Sequence, residues 1–106
     1  MPDATKEQAD AFNEQQRLAA SAECAVRYWD AVSEIDVTHL LGKVSAPTLV
    51  MHVRGDARVP IEAGRRLAAG IPGARFVAMP GRNHILQDGE PAFGRFLEET
   101  RLFLGA

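Results

Sequence analysis

Cysteine is nearly absent from this chain: Cys24 is the only one in 106 residues. An internal disulfide is therefore impossible, and a reducing compartment fits. Long apolar runs are missing too, since none approaches the ~20 residues of a membrane span. The stretch Met1-Pro2-Asp3-Ala4-Thr5-Lys6-Glu7 lacks the basic and apolar regions of a signal peptide, so a cytoplasmic protein is the expectation. There is no excess of positive charge. The net charge is -2 and the pI near 5.9, which argues against nucleic acid or an anionic membrane as partner. No ligand spacing links His39, His52, His84 and Asp56, so neither a metal nor another cofactor is expected. Internal repeats and low-complexity tracts are also lacking.

What is present is an ordinary globular composition, 46% hydrophobic and 25% charged, in a length that makes one domain at most or a piece of one. Charge is uneven. Residues 1–40 hold three Lys/Arg against eight Asp/Glu, and residues 41–106 hold nine against six. Solvated faces account for such an asymmetry, which also helps the two parts dock.

The N-terminal part reads as helical. Residues 5–20 are polar and helix-compatible, with only Phe12 and Leu18 as bulky apolar contacts, so this helix must lean on something else. Ser21 suits the N-cap of a second helix, in which Ala25, Tyr28, Val32 and Ile35 recur at helical spacing. Asp36 is expected to cap a short third helix through Val37, Leu40 and Leu41, ended by Gly42. His39 falls there and has no assigned role. Cys24 has no basic neighbour in sequence that would mark a nucleophile, and a packed thiol is expected.

From residue 47 on the pattern changes. Pro47-Thr48-Leu49-Val50-Met51-His52-Val53 and Phe76-Val77-Ala78-Met79 are apolar runs, each followed by a turn. Continuous apolarity belongs to parallel strands covered on both faces. Between them Pro60 is placed to open a helix whose buried face is Ile61, Gly64, Leu67, Ala68 and Ile71, stopped by Gly70 and Pro72-Gly73. Pro91 opens a last helix with the stripe Phe93, Phe96, Leu97, Thr100, Phe103 and Leu104. The order is β-α-β-loop-α, an α/β pattern with two parallel strands at about residues 48–53 and 75–79.

The two turns carry the chemistry. The first ends in Arg54-Gly55-Asp56 and the second in Pro80-Gly81-Arg82-Asn83-His84. Parallel strands deliver both turns to one sheet edge, where functional groups gather. An Asp and a His at that edge suggest a pair in which Asp56 fixes the tautomer of His84 and stabilises its imidazolium. The bland alternatives are a turn Asp bonding backbone amides and a solvated loop histidine. His52, in mid-strand, reads as a satisfied core or edge histidine. Arg54-Gly55-Asp56 also spells a cell-adhesion tripeptide, a coincidence in a chain without a secretion signal.

These residues resemble the C-terminal portion of an α/β-hydrolase. Pro47 to His52, Asp56 and Val59-Pro60 look like that family's penultimate strand and acid turn. Pro80-Gly81-Arg82-Asn83-His84, with Glu90-Pro91 and Phe93, looks like its histidine loop and closing helix. The resemblance covers about residues 44–104. Residues 1–43 look like the helical end of the family's cap region, which divides the chain at 43/44. The whole is similar to hydrolase domains beside cyclase or DNA-binding modules in bacterial signalling proteins. The resemblance implies a partial α/β-hydrolase fold with Asp56 as triad acid and His84 as general base.

One departure stands out. The family's nucleophile sits in a G-x-S-x-G elbow. The three serines here, Ser21, Ser33 and Ser45, lie in Ala-Ala-Ser-Ala-Glu, Ala-Val-Ser-Glu-Ile and Lys-Val-Ser-Ala-Pro. The expectation is an α/β-hydrolase portion, for ester or related acyl bonds, that is inactive alone. A small-molecule acyl substrate would be turned over only if a complementary chain supplied the nucleophile. The alternative is a non-catalytic truncated scaffold or interaction module, with self-association expected because two parallel strands leave open edges.

Overall fold

Extended segments that are apolar on both sides must be covered on both sides, and the chain meets that demand with one helix per face. The computed structural model describes residues 1–105. Its elements in order are α1 (Lys6–Ala19), α2 (Ala22–Ser33), a 3₁₀ helix (Thr38–Lys43), β1 (Leu49–Val53), α3 (Ile61–Gly70), β2 (Arg75–Met79) and α4 (Pro91–Leu104). β1 and β2 pair in parallel, with Val50 opposite Phe76, His52 opposite Ala78 and Val53 opposite Met79. This is the mixed α/β architecture expected, with an open two-stranded sheet.

Alternation along the strands assigns the faces. Val53 and Met79 form a core cluster with Ala92 of α4, and Met51, Val77, Leu86 and Phe96 pack around it. The opposite face carries His52 and Phe76. There the His52 ring lies against Gly64 of α3, and the Arg65 guanidinium sits 6.0 Å from the Phe76 ring centre. The 3₁₀ helix packs on α3, because Leu41 occupies the space where a side chain at Gly70 would go.

Several local expectations need correction. Pro60 caps α3 rather than opening it, since the helix begins at Ile61. On α3 Gly64 is buried but Leu67 is exposed, and the buried Ile71 follows the helix as its C-cap. On α4 the buried positions are Ala92 and Glu99, not the whole stripe; Leu97 and Leu104 are exposed. Glu99 faces inward because two guanidiniums meet it: Arg75 donates to Oε2 at 2.5 Å and Arg95 pairs with Oε1 at 2.7 Å. A carboxylate satisfied on both oxygens tolerates burial that a lone one does not. The third helix is a 3₁₀ segment that runs through Gly42 to Lys43. Asp36 acts just before it, where its Oδ1 accepts the Thr38 N–H at 2.9 Å.

The N-terminal helices rest on local chemistry. Thr5 and Gln8 form a capping box, and Glu14 pairs with Arg17. Neither α1 nor α2 buries a residue. Ser21 caps α2 as expected, its Oγ accepting the Cys24 N–H. The apolar positions of α2 are mostly uncovered, with Val26, Tyr28 and Trp29 exposed; Ile35, expected on this helix, lies just beyond its end and is exposed as well. Cys24 is exposed as well, not packed, because it lies on a helix with no facing layer. Among the described residues no helix is long and apolar enough to cross a membrane.

Candidate active site

The two turns that follow β1 and β2 are hydrogen-bonded to each other, so the sheet ladder continues past the strands. Arg54 N–H donates to Met79 O at 2.7 Å, Gly55 N–H to Gly81 O at 3.0 Å, and Ala57 N–H to Arg82 O at 3.1 Å. Two glycines permit this approach. A Cβ on Gly55 would lie 2.8 Å from Gly81 O, and Gly81 itself has φ +108, a conformation side chains rarely adopt.

The consequence is a contact between residues 28 positions apart: His84 Nδ1 stands 2.6 Å from Asp56 Oδ2. A carboxylate only accepts, so His84 Nδ1 carries the proton and Nε2 is left as the basic nitrogen. Asp56 Oδ1 accepts the Arg58 and Val59 N–H groups at 2.8 and 2.9 Å, an Asx turn leading towards α3. The Asp56 side chain is only 3% exposed and that of His84 is 41% exposed. The acid is thus enclosed and the base accessible, as proton transfer to or from a bound molecule requires.

Burial alone pushes the Asp56 carboxyl upward. The His84 hydrogen bond, the Val59 and Arg58 amides and the charge of His84 outweigh it and hold the group below its ordinary value of 3.8. A depressed carboxyl stabilises the fold fully above its unfolded value, and that contribution is lost as pH falls through the lower folded value. In an acid titration of the melting temperature, part of the loss below about pH 4 is expected to disappear in Asp56→Asn. An identical acid limb in both proteins would show that Asp56 does not contribute.

The histidine loop is anchored by Asn83, 1% exposed. Its Oδ1 accepts the Asp3 N–H at 2.9 Å, and its Nδ2 donates to Glu90 Oε2 at 2.7 Å. Glu90 Oε1 in turn accepts the Gln87 N–H. Arg82 pairs with the Asp3 carboxylate, so the N-terminal segment is fastened to the loop. Sequence reasoning quoted Asn83 and Glu90 without a role. Their spacing of seven residues gave no signal, because only the folded loop makes them neighbours.

His52 was read as a satisfied histidine, and it is one: Nε2 lies 2.9 Å from Val59 O. The same atom is 3.4 Å from Asp56 Oδ2, so two histidines face one carboxylate. His39 is not among them. Among the described residues no three His, Cys, Asp or Glu side chains are grouped to hold a metal ion.

His84 borders two hollows. One, of about 290 Å³, is lined also by Asp56, Met51, Met79, Leu86 and Phe96. The other, of about 450 Å³, lies under the N-terminal segment, between Met1, Phe12, Arg58 and Ile85. Arg58 is held at the second by its guanidinium, 5.0 Å from the Trp29 ring centre.

Comparison with known proteins bears on the family and the fold. A family model described as TAP-like protein, of the α/β-hydrolase type, matches residues 9–98. A non-heme chloroperoxidase of Kitasatospora aureofaciens is 41% identical over 68 residues, which are 63% of this chain and 25% of that protein. A 2-hydroxy-6-oxononadienedioate/2-hydroxy-6-oxononatrienedioate hydrolase of Cupriavidus pinatubonensis is 41% identical over 66 residues, 61% of this chain and 22% of its own length. A protein of the same description from Klebsiella pneumoniae subsp. pneumoniae is 56% identical over 34 residues, 32% of this chain and 12% of its own. The chain therefore matches about a quarter or less of the length of these curated relatives. No solved structure matches. With the family model covering most of its length and the strand, turn and loop order in place, the chain belongs to the TAP-like family of α/β-hydrolases.

Proposed function

We propose that this chain is the acid–base portion of an α/β-hydrolase acting on an ester or related acyl bond. Asp56 orients His84, and His84 Nε2 takes the proton of a nucleophile carried on a G-x-S-x-G segment outside these 106 residues. The observation that carries the reading is the 2.6 Å contact between His84 Nδ1 and the enclosed Asp56 carboxylate. The similarity to hydrolases named for the oxononadienedioate substrate supports an acyl compound as substrate. The smaller hollow beside both residues, walled by Met51, Leu86 and Phe96, supports the entry of a nucleophile-bearing segment there. Residues 1–43 are the end of the cap.

A second reading has its own observation. Exposed Val26, Tyr28 and Trp29 on α2 favour an interaction module whose apolar helix surface meets a partner or a second copy. One experiment separates the two. The purified chain is assayed for p-nitrophenyl ester hydrolysis alone, then mixed with a polypeptide carrying the family's nucleophile elbow. No turnover alone and His84-dependent turnover in the mixture is the expected result. Steady turnover by the chain alone, lost in His84→Ala, would overturn the need for a second segment. A stable mixed complex without turnover would favour the interaction module.

A further inference from the structure

His52 takes no part in the proposed mechanism, yet it lies beside the Asp56 carboxylate. Its side chain is 11% exposed, it sits four residues before Asp56, and its ring nitrogen faces the acid. Two hydrogen bonds and one looser polar contact close a ring around it. Val59 N–H donates to Asp56 Oδ1 at 2.9 Å. Val59 C=O accepts from His52 Nε2 at 2.9 Å. His52 Nε2 then stands 3.4 Å from Asp56 Oδ2, the oxygen that His84 uses.

The tautomer follows from this network. A carbonyl oxygen only accepts, so His52 Nε2 must carry a proton. The positive end of that N–H therefore lies beside the acid oxygen shared with His84. Room for the ring in this position comes from α3. A Cβ on Gly64 would stand 2.6 Å from His52 Nδ1 and 3.0 Å from its Cγ, so a side chain at 64 would displace the imidazole.

We propose that His52 is a positioning residue for Asp56: it holds the Val59 carbonyl and, through the Val59 Cα, the N–H on the other side of that residue, so that this N–H fixes the carboxylate in the orientation that meets His84. The proposal rests on the Asp56–His84 reading above, and it assigns His52 no contact with substrate. Deleting the His52 donor frees the Val59–Pro60 peptide to turn about the Val59 Cα, which loosens the Arg58–Val59 amide that pins Asp56 Oδ1. The carboxylate can then turn about its side-chain bonds, and the short contact with His84 is no longer favoured over water. Gly64 has a matching part, since it is the space that keeps the imidazole against Val59.

The test uses the full chain, labelled with nitrogen-15, and three variants. In His52→Gln the side-chain amide nitrogen reaches the place of the ring Nε2. In His52→Asn it stops short, at the place of Nδ1. In His52→Phe ring shape is kept without a donor. Two readouts are followed: hydrogen exchange at the Val59 amide, and the downfield Nδ1–H resonance of His84. His52→Phe and His52→Asn are expected to speed Val59 exchange on the order of tenfold, the scale of one lost hydrogen bond, and to broaden the His84 resonance. His52→Gln is expected to restore both. Unchanged exchange in His52→Asn and His52→Phe, or a loss in His52→Gln as large as in His52→Asn, would overturn the proposal. If His52→Phe does not fold, the comparison of the Gln and Asn variants decides alone. Absence of the His84 resonance from the unmodified chain would instead sink the Asp56–His84 pairing. The Val59 exchange pattern would then still judge the role of His52 in holding the turn.

Discussion

Once a nucleophile is supplied, His84→Ala is expected to lower kcat by about a millionfold, and Asp56→Asn by about ten-thousandfold. The inequality follows from the contact itself. Loss of His84 removes the group that takes the proton, and nothing among the neighbouring side chains replaces its exposed Nε2. Asp56→Asn keeps the shape but offers an amide N–H to His84 Nδ1, at the 2.6 Å position where a carboxylate oxygen now accepts. The imidazole then carries its proton on Nε2 and no longer accepts one. Comparable losses in the two variants, or a larger loss in Asp56→Asn, would contradict this division of roles. The measurement is kcat for an ester substrate at saturation, with the complementing polypeptide in excess.

Gly55→Ala is expected to part the two turns of the site. The new Cβ would stand 2.8 Å from Gly81 O, a backbone atom that cannot swing aside as a side chain does. Relief requires the two turns to separate, which breaks the Gly55–Gly81 hydrogen bond and strains its neighbours at Arg54 and Ala57. Overpacking of this kind costs about 1–3 kcal/mol. The cost falls on function as well, since the same displacement carries Asp56 away from His84. The expected result is a lowered denaturation midpoint together with loss of the His84 Nδ1–H resonance. Wild-type stability with an intact resonance would show that the turns absorb the methyl group without parting. Gly42→Ala, where an added Cβ meets nothing within 4 Å, is the control.

Much of this arrangement was legible before any coordinates. The strands were readable because each apolar run is bounded by proline or glycine turn chemistry, and the observed β2 is the expected Arg75–Met79. Asp56 and His84 were readable because parallel strands leave both turns at one edge. The helical stripes were less informative. Periodicity says which side of a helix is apolar but not whether a neighbour covers it, and on α2 Tyr28 stays exposed. On α4 Glu99 escaped notice because burial of a carboxylate depends on Arg75 and Arg95, which no spacing rule brings together with it as a trio. His52 was assigned as satisfied without its second neighbour. The geometry that joins it to Asp56 depends on Val59, on the far side of the turn, and on an empty place at Gly64.

The ladder that runs on through the turns has a bearing on how this family can change by insertion and deletion. Because Arg54, Gly55 and Ala57 are tied to Met79, Gly81 and Arg82, the counts from Val53 to Asp56 and from Met79 to His84 are metered by the sheet. One residue gained or lost inside either count shifts the pairing and turns Asp56 or His84 towards the wrong face. Beyond His84 the metering ends, and the segment up to Glu90 is held by side chains such as Asn83 rather than by the ladder. A change of length before the histidine must therefore break the ladder, whereas one after it breaks only the side-chain ties of Glu90 and leaves the Asp56–His84 contact in register.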